Sequence, residues 1–325
     1  MTRTRIPEAI LDAAHARARA RELRDWPEAD RLRGEIEGAG WKIVDRGTDF
    51  ALSPAQAPDV EEAGRVRYGS SASVPSRLDA APVGIASVVL VATDWPADLE
   101  RTLSGLREHG PDGLHVIVVA NAPSDEQDAI LDRLEATDPG GPGIATEVVW
   151  TSERLGHAAA LNAGIRRAAA PIAIILDSSV EPIGDVVSPV VRALDDSDVA
   201  VAGPWGMVSA DLRHFDEAAP GDVDAIAGYF MAFRRADYAE RGPLDEAFRF
   251  YRNLDIWWSL VLRDGGDGEA PRRAVAVAGV AVRRHDHREY LGLPPEERER
   301  LSKRNFYRLL DRFRDRRDLL VGANR

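Results

Sequence analysis

The chain has 325 residues, of which 44% are hydrophobic and 30% charged, a composition that supports a packed core rather than a disordered chain. It contains no cysteine, which excludes disulfides, zinc-thiolate sites and cysteine nucleophiles and is compatible with a cytoplasmic location. The net charge is −12, with the acidic excess in the middle of the sequence, and this argues against duplex nucleic acid as a ligand.

No run approaches the ~20 apolar residues of a membrane span, and the opening MTRTRIPEAI lacks the apolar core of a signal peptide. Residues 8–24 are rich in Ala, Arg, Glu and Leu and read as a helix. A second helix starts at Asp25, a suitable N-cap with Glu28 three residues on and Pro27 tolerated in the first turn, and it ends near Gly38 and Gly40. A small hairpin follows in WKIVDRGTDFAL. Residues 53–82 are rich in Pro, Ser, Ala and Gly and read as a linker or irregular crossover. From there the pattern alternates. IASVVLVAT (85–93), LHVIVVAN (114–121), ATEVVWT (145–151) and PIAIILD (171–177) are strand-like, with helical spacing in the segments between them. Nearly continuous apolar strands alternating with helices predict a doubly wound α/β core with a mostly parallel sheet.

In such a sheet the carboxyl ends of the strands lie at one edge, where ligands bind. The polar residues there are Thr93 and Asp94, Asn121, Arg154 and Asp177. Any one of them alone is more often a cap or a satisfied loop residue; four at one edge favour a binding crevice. No Gly-x-Gly-x-x-Gly follows the first strand and no Gly-Lys-Ser/Thr loop is present, which disfavours a dinucleotide site or a P-loop.

The ordered set of segments resembles the large inverting glycosyltransferase family that has the GT-A fold. VVANAPSD stands where that family has Val-Asp-Asn-x-Ser-x-Asp. LGHAAALNAGIRRAAAPIAIILDSS carries Gly156, Asn162 and Gly164 ahead of the strand that bears the family's metal-binding Asp-x-Asp. GYFMAFRRADYAERGPLDEAFRFYRNLDIWWSLVLRDGG follows the acceptor-side pattern, with Gly228, Arg234, Arg235, Gly242, Asp245, Glu246 and Phe248 in register. The resemblance covers roughly residues 85–290. It implies transfer of a sugar from a nucleotide-sugar donor to the hydroxyl of a glycan or lipid-linked acceptor, with inversion, and a divalent cation, Mg or Mn, as cofactor.

Three departures all remove acids. The strand-two Asp is Ala120, the second acid of Asp-x-Asp is Ser179, and the Glu-Asp pair that supplies the general base falls on Arg252 and Asn253. Asp255 is then the nearest carboxylate able to take a proton from the acceptor. The resemblance implies Thr93, Asn121 and Arg154 around the donor, Asp177 on the metal or diphosphate, and Asp255 with Asn253 at the catalytic position. Arg252 could offset diphosphate charge, since a guanidinium suits phosphate oxygens. His285 and His287 in RRHDHREY come where the family often places a late histidine, and His285 is the preferred second metal ligand. Trp205, Trp257 and Trp258 offer sugar-binding faces, although core packing is the commoner role for at least one of the adjacent pair. The same three losses support an alternative: a weak or inactive glycosyltransferase-like protein that binds a nucleotide, glycan or protein partner.

The predicted organisation is a helical hairpin module over 1–52, a linker over 53–82, the glycosyltransferase-like domain over 83–290 and a helical segment over 291–325. The hairpin stretch, ARARARELRDWPEADRLRGEIEGAGWKIVDRGTDFAL, resembles the C-terminal module of bacterial cysteinyl-tRNA synthetases. Docking or self-association is its commoner use, so a homo-oligomer is compatible. The C-terminal segment places Phe306, Leu309, Leu310 and Phe313 on one helical face, with Ser302 as N-cap. Its other face is basic. Packing on the catalytic domain is the preferred reading over peripheral contact with an anionic membrane surface.

Overall fold

A computed structural model describes residues 6–46, 49–62, 64–137, 144–266 and 269–324. The chain divides into two compact units, Met1–Ser70 and Ser71–Arg325.

In the first unit, helices α1 (Glu8–Glu22) and α2 (Trp26–Gly38) precede the antiparallel hairpin of β1 (Trp41–Arg46) with β2 (Asp49–Pro54), and β3 (Val60–Glu62) pairs antiparallel with β4 (Arg65–Tyr68). The Asp25 carboxylate caps α2 by accepting from the Glu28 N–H at 3.3 Å. Ile10, Ala14, Leu32, Ile36, Trp41 and Ile43 close a small core between helices and hairpin. Arg17, 4% exposed, is held by Asp45 at 2.7 Å, so this buried cation is paired.

The second unit runs β5 (Ala86–Ala92), α3 (Pro96–His109), β6 (Leu114–Ala120), α4 (Asp125–Thr137), β7 (Ala145–Thr151), α5 (His157–Ile165), β8 (Ile172–Leu176), β9 (Val180–Pro182), α6 (Val187–Ala193), β10 (Val199–Gly203) and β11 (Gly206–Val208). It continues with β12 (Asp216–Ala218), β13 (Gly221–Val223), β14 (Ala225–Ile226), β15 (Phe230–Arg234), α7 (Arg235–Arg241), α8 (Leu254–Arg263), β16 (Arg273–Ala276), β17 (Val282–Arg284), α9 (Arg288–Gly292) and α10 (Pro295–Phe313). Within this unit the main sheet has the order β13-β16-β10-β15-β8-β5-β6-β7. The β5, β6, β7 and β8 pairings are parallel, whereas β15 runs antiparallel to both β8 and β10.

Strand alternation divides the side chains between two layers. Ala86, Val88, Leu90 and Ala92 of β5 face Leu99, Leu103 and Leu106 of α3 with Leu131 of α4. The opposite face of β5 and β6 meets α5 so closely that a Cβ on Gly164 would lie 2.4 Å from Val89 Cγ1 and 2.9 Å from Val119 Cγ2. A helix on each face explains the uninterrupted apolar strands.

Part of the predicted linker is anchored within the second unit. Val74 is fully buried, its carbonyl accepts from Arg166 Nε at 2.8 Å, and Arg235 donates to the carbonyls of Arg77 and Ala80. The C-terminal helix begins at Pro295 rather than at Ser302, because Pro294-Pro295 sets its first turn and Glu296 and Glu297 suit its positive end. Leu309 and Phe313 are each 1% exposed and α10 packs on α8, so this apolar face is covered by the domain itself. Among the described residues no helix is long and apolar enough to cross a membrane.

Candidate active site

The carboxyl edge of the sheet opens into a cavity of about 610 Å³. Of the sequence-predicted residues, Thr93, Asp177, Arg252, Asn253, Asp255 and His285 line it. Asn121 and Arg154 do not. Asn121 is buried, and its amide both donates to and accepts from the Leu155 backbone, at 3.1 and 2.7 Å, bracing the loop after β7. Arg154 is exposed on that loop.

Two adjacent residues tie the acids of the cavity together. Asp177, at the end of β8, donates its N–H to the Tyr229 carbonyl at 2.9 Å. Gly228 donates its N–H to Asp255 Oδ2, also at 2.9 Å. Asp255 sits in the first turn of α8, where the helix end favours a carboxylate. Burial nevertheless outweighs these contacts and the charge of Arg252, and it pushes the Asp255 carboxyl above the usual range.

Asp177 titrates the other way. Burial would raise it, but His287 and the side chain and N–H of Ser179 hold it below the ordinary carboxylate range. His287 Nε2 lies 3.3 Å from Asp177 Oδ2. His285, expected as the second metal ligand beside Asp177, instead lies 2.7 Å from Glu181, and both histidines follow the last residue of β17. Asn253 has left-handed backbone (φ 64°) and donates its amide to the Ser302 carbonyl at 3.2 Å, so its side chain is turned toward α10.

The donor set does not make a protein-held metal site. Asp177 and His287 are a pair, the Ser179 hydroxyl donates to Asp177 Oδ1, and no group of three His, Asp or Glu residues able to hold a metal occurs among the described residues. A divalent cation on a diphosphate commonly takes one or two carboxylates from the protein, with phosphate oxygens and water completing its shell, and here the chain offers a single carboxylate that His287 and Ser179 already engage.

Several cavity residues escaped the sequence reading. His157, the first residue of α5, faces Tyr251 edge-on at 6.1 Å, and Tyr251 stacks on His287 at 4.5 Å. Burial pushes the His157 imidazole down to about 4, against the attraction of Asp177. The N–H groups of His157 and Ala158 are taken by the carbonyls of Arg249 and Phe248, so the start of this helix is closed by the chain. Arg284 stands 5.5 Å over the Trp205 ring and 5.3 Å over Tyr229. The usable signal was position: His157 and Arg284 both stand at the ends of elements that reach the sheet's carboxyl edge. Of the three tryptophans, Trp205 and Trp258 line the cavity, but Trp258 is 1% exposed and packs on Phe233 and Tyr238, and Trp257 is covered by Arg312 and Phe248.

Residues 87–247 match the family described as Glycosyl transferase family 2. Among solved structures, GalNAc-T7 with UDP, GalNAc and Mn2+ is 15% identical with a TM-score of 0.57, over 72% of this chain and 49% of that one. A mannosyltransferase from Pyrobaculum calidifontis, in complex with GDP-Man and Mn2+, is 22% identical with a TM-score of 0.47, over 64% and 58%. TarS of S. aureus is 11% identical with a TM-score of 0.47, over 70% and 72%. The chain thus spans only about half the length of the first two. A separate match of 47% identity over 47 residues joins it to the cysteine–tRNA ligase of Rubrobacter xylanophilus, covering 14% of this chain and 10% of the ligase. The parallel sheet, the cavity at its carboxyl edge and the match over 87–247 together establish that this chain carries a glycosyl transferase family 2 domain with the GT-A fold.

Proposed function

We propose that the chain transfers a sugar from a nucleotide-sugar donor to an acceptor hydroxyl, on a glycan or a lipid-linked sugar, with inversion at the anomeric carbon. The observation that carries this reading is the Gly228-Tyr229 segment, which bonds to Asp255 on one side and Asp177 on the other within one cavity. Asp255 is the base. Its raised carboxyl accepts the proton of the attacking hydroxyl as the new glycosidic bond forms and the nucleoside diphosphate departs with the electrons of the old one. Half-buried and anchored at 2.9 Å, it holds the geometry of attack without reorganising.

Asp177 and Thr93 border the donor side. Asn121 acts on that side indirectly, by holding Leu155, and Arg154 lies further along the same loop. Tyr229, Trp205 and Tyr251 supply faces for sugar rings. The test is release of nucleoside diphosphate from a panel of nucleotide sugars in the presence of glycan acceptors. Turnover that disappears in Asp255→Asn supports the reading. A wild-type protein that binds nucleotide sugars and releases no nucleoside diphosphate with any acceptor would favour a binding protein in its place.

A further inference from the structure

The turn that has lost its second acid has an arginine beside it. Strand β17 pairs with β9 so that Arg284 stands opposite Val180, and the His285 N–H donates to the Ser179 carbonyl at 2.8 Å. Arg284 is therefore held by a strand whose partner, β9, follows directly on Asp177-Ser178-Ser179, and it lines the same cavity as those three residues. Trp205 and Tyr229 present their rings to it at 5.5 and 5.3 Å, contacts that restrict the side chain before any ligand arrives. Its carboxylate partner, Glu217 at 3.4 Å, is 77% exposed, and a pair of that kind is given up at little cost.

Arg252, on the loop before α8, lines the same cavity. The Tyr229 phenol, raised first by burial, lies within the fields of Arg284 and Arg252 as well as those of Asp177 and Asp255. Two arginines, this tyrosine and the acid at the end of β8 thus line one cavity, with the Arg284 guanidinium 5.3 Å over the Tyr229 ring. Planar guanidinium forks suit phosphate oxygens, bind them bidentately and stay charged at any physiological pH.

We propose, building on the sugar-transfer reading above, that Arg284 and Arg252 form the diphosphate site of this cavity and let a nucleoside diphosphate bind without a divalent cation. The guanidinium groups supply the charge compensation for which Asp177 with His287 is an incomplete cation site.

Isothermal titration of the full chain with UDP, GDP, ADP, CDP and dTDP, in EDTA and in Mn2+, tests the site by binding alone. One diphosphate is expected to bind in EDTA within about threefold of its affinity in Mn2+. Arg284→Gln is expected to weaken it about tenfold or more in both buffers, and Arg284→Lys to weaken it less. Affinity for the matching nucleoside should not change in either variant, which separates lost phosphate contacts from a misfolded cavity. Binding that appears only with Mn2+, or affinities of Arg284→Gln and Arg252→Gln that both stay within about twofold of wild type, overturns the arginine site and leaves the sugar-transfer reading standing. Absence of binding by all five diphosphates in both buffers overturns the two together.

Discussion

The N–H of Gly228 points at Asp255 Oδ2 from 2.9 Å, and a Cβ built on Gly228 would lie 3.1 Å from Asp255 Cβ and 3.4 Å from that same oxygen. The glycine is therefore the floor on which the carboxylate rests. Gly228→Ala is expected to fold normally yet displace Asp255 by a few tenths of an ångström, lowering kcat about tenfold or more with KM little changed. Steady-state release of nucleoside diphosphate measures this split. An unchanged kcat would mean that the position of Asp255 does not limit the reaction.

Asp255 itself should trade stability for activity. Its folded pKa is raised by burial above the unfolded value of about 3.9, so its carboxylate costs the folded state stability, a cost that sets in as pH rises through the two values. Asp255→Asn is thus expected to melt at or above the wild-type temperature at pH 7 while losing about 10²–10⁴-fold in kcat. For the same reason the acidic limb of the wild-type rate profile should fall at a higher pH than an ordinary carboxylate gives. Calorimetric melting and a kcat profile from pH 4 to 8 check both expectations.

Asn162, 1% exposed, is a structural prop rather than a ligand group. Its amide donates to the Leu244 carbonyl at 2.9 Å and to Glu246 at 3.1 Å, and its oxygen accepts from the Tyr238 hydroxyl at 2.9 Å and the Leu244 N–H at 3.0 Å. Asn162→Ala leaves two buried donors and a buried carbonyl without these partners, at a cost of about 2–4 kcal/mol. Urea unfolding at pH 7 measures the loss. A cost below about 1 kcal/mol would mean that water replaces the amide.

The parallel sheet and the cavity edge were legible in the sequence because strands covered on both faces leave a strong apolar signal. The ends of Ile172–Leu176 and Ala86–Ala92 could be read directly, which located Asp177 and Thr93. What could not be read was the direction of individual side chains in short segments. His287 rather than His285 reaches Asp177 although the two would share a face in an extended chain, because both lie beyond the end of β17, where no local pattern encodes the path of the backbone. Asn253 fell on a catalytic position by alignment, yet its left-handed backbone and its bond to Ser302 give it a turn-forming role.

Asn253 makes that distinction testable. Glycine adopts a φ of 64° without strain, so Asn253→Gly is expected to keep most of the activity, whereas Asn253→Val should lose about 1–2 kcal/mol of stability from backbone strain. The partner contact from α10 comes from Asn305, whose amide donates to the carbonyls of Phe250 and Arg252 at 2.6 and 2.8 Å. Hydrogen exchange across 250–254 should therefore rise more in Asn305→Ala than in Asn253→Gly. The reverse order would place the chief support of this loop in Asn253.

His157 gives the cavity a pH dependence of known sign. Its folded pKa is pushed down to about 4 by burial, with the positive field of His287 adding to the shift and Asp177 opposing it. The unfolded imidazole takes up a proton near pH 6.5, while the folded one resists until much lower pH. Stability is therefore whole above about 6.5 and falls as pH drops toward 4, by at most about 1.4 kcal/mol per unit. Between pH 7 and 5 the wild type should lose about 1–2 kcal/mol more than His157→Gln, measured by urea midpoints at each pH. Carboxylates held low in the folded state, such as Asp177, lose their contribution only below that window, so they do not mimic the effect. Equal losses in wild type and variant would mean that the folded protein accommodates a charged His157. A greater loss in the wild type would establish that the cavity holds this imidazole neutral at physiological pH, as a hydrogen-bonding group that adds no charge beside Asp177.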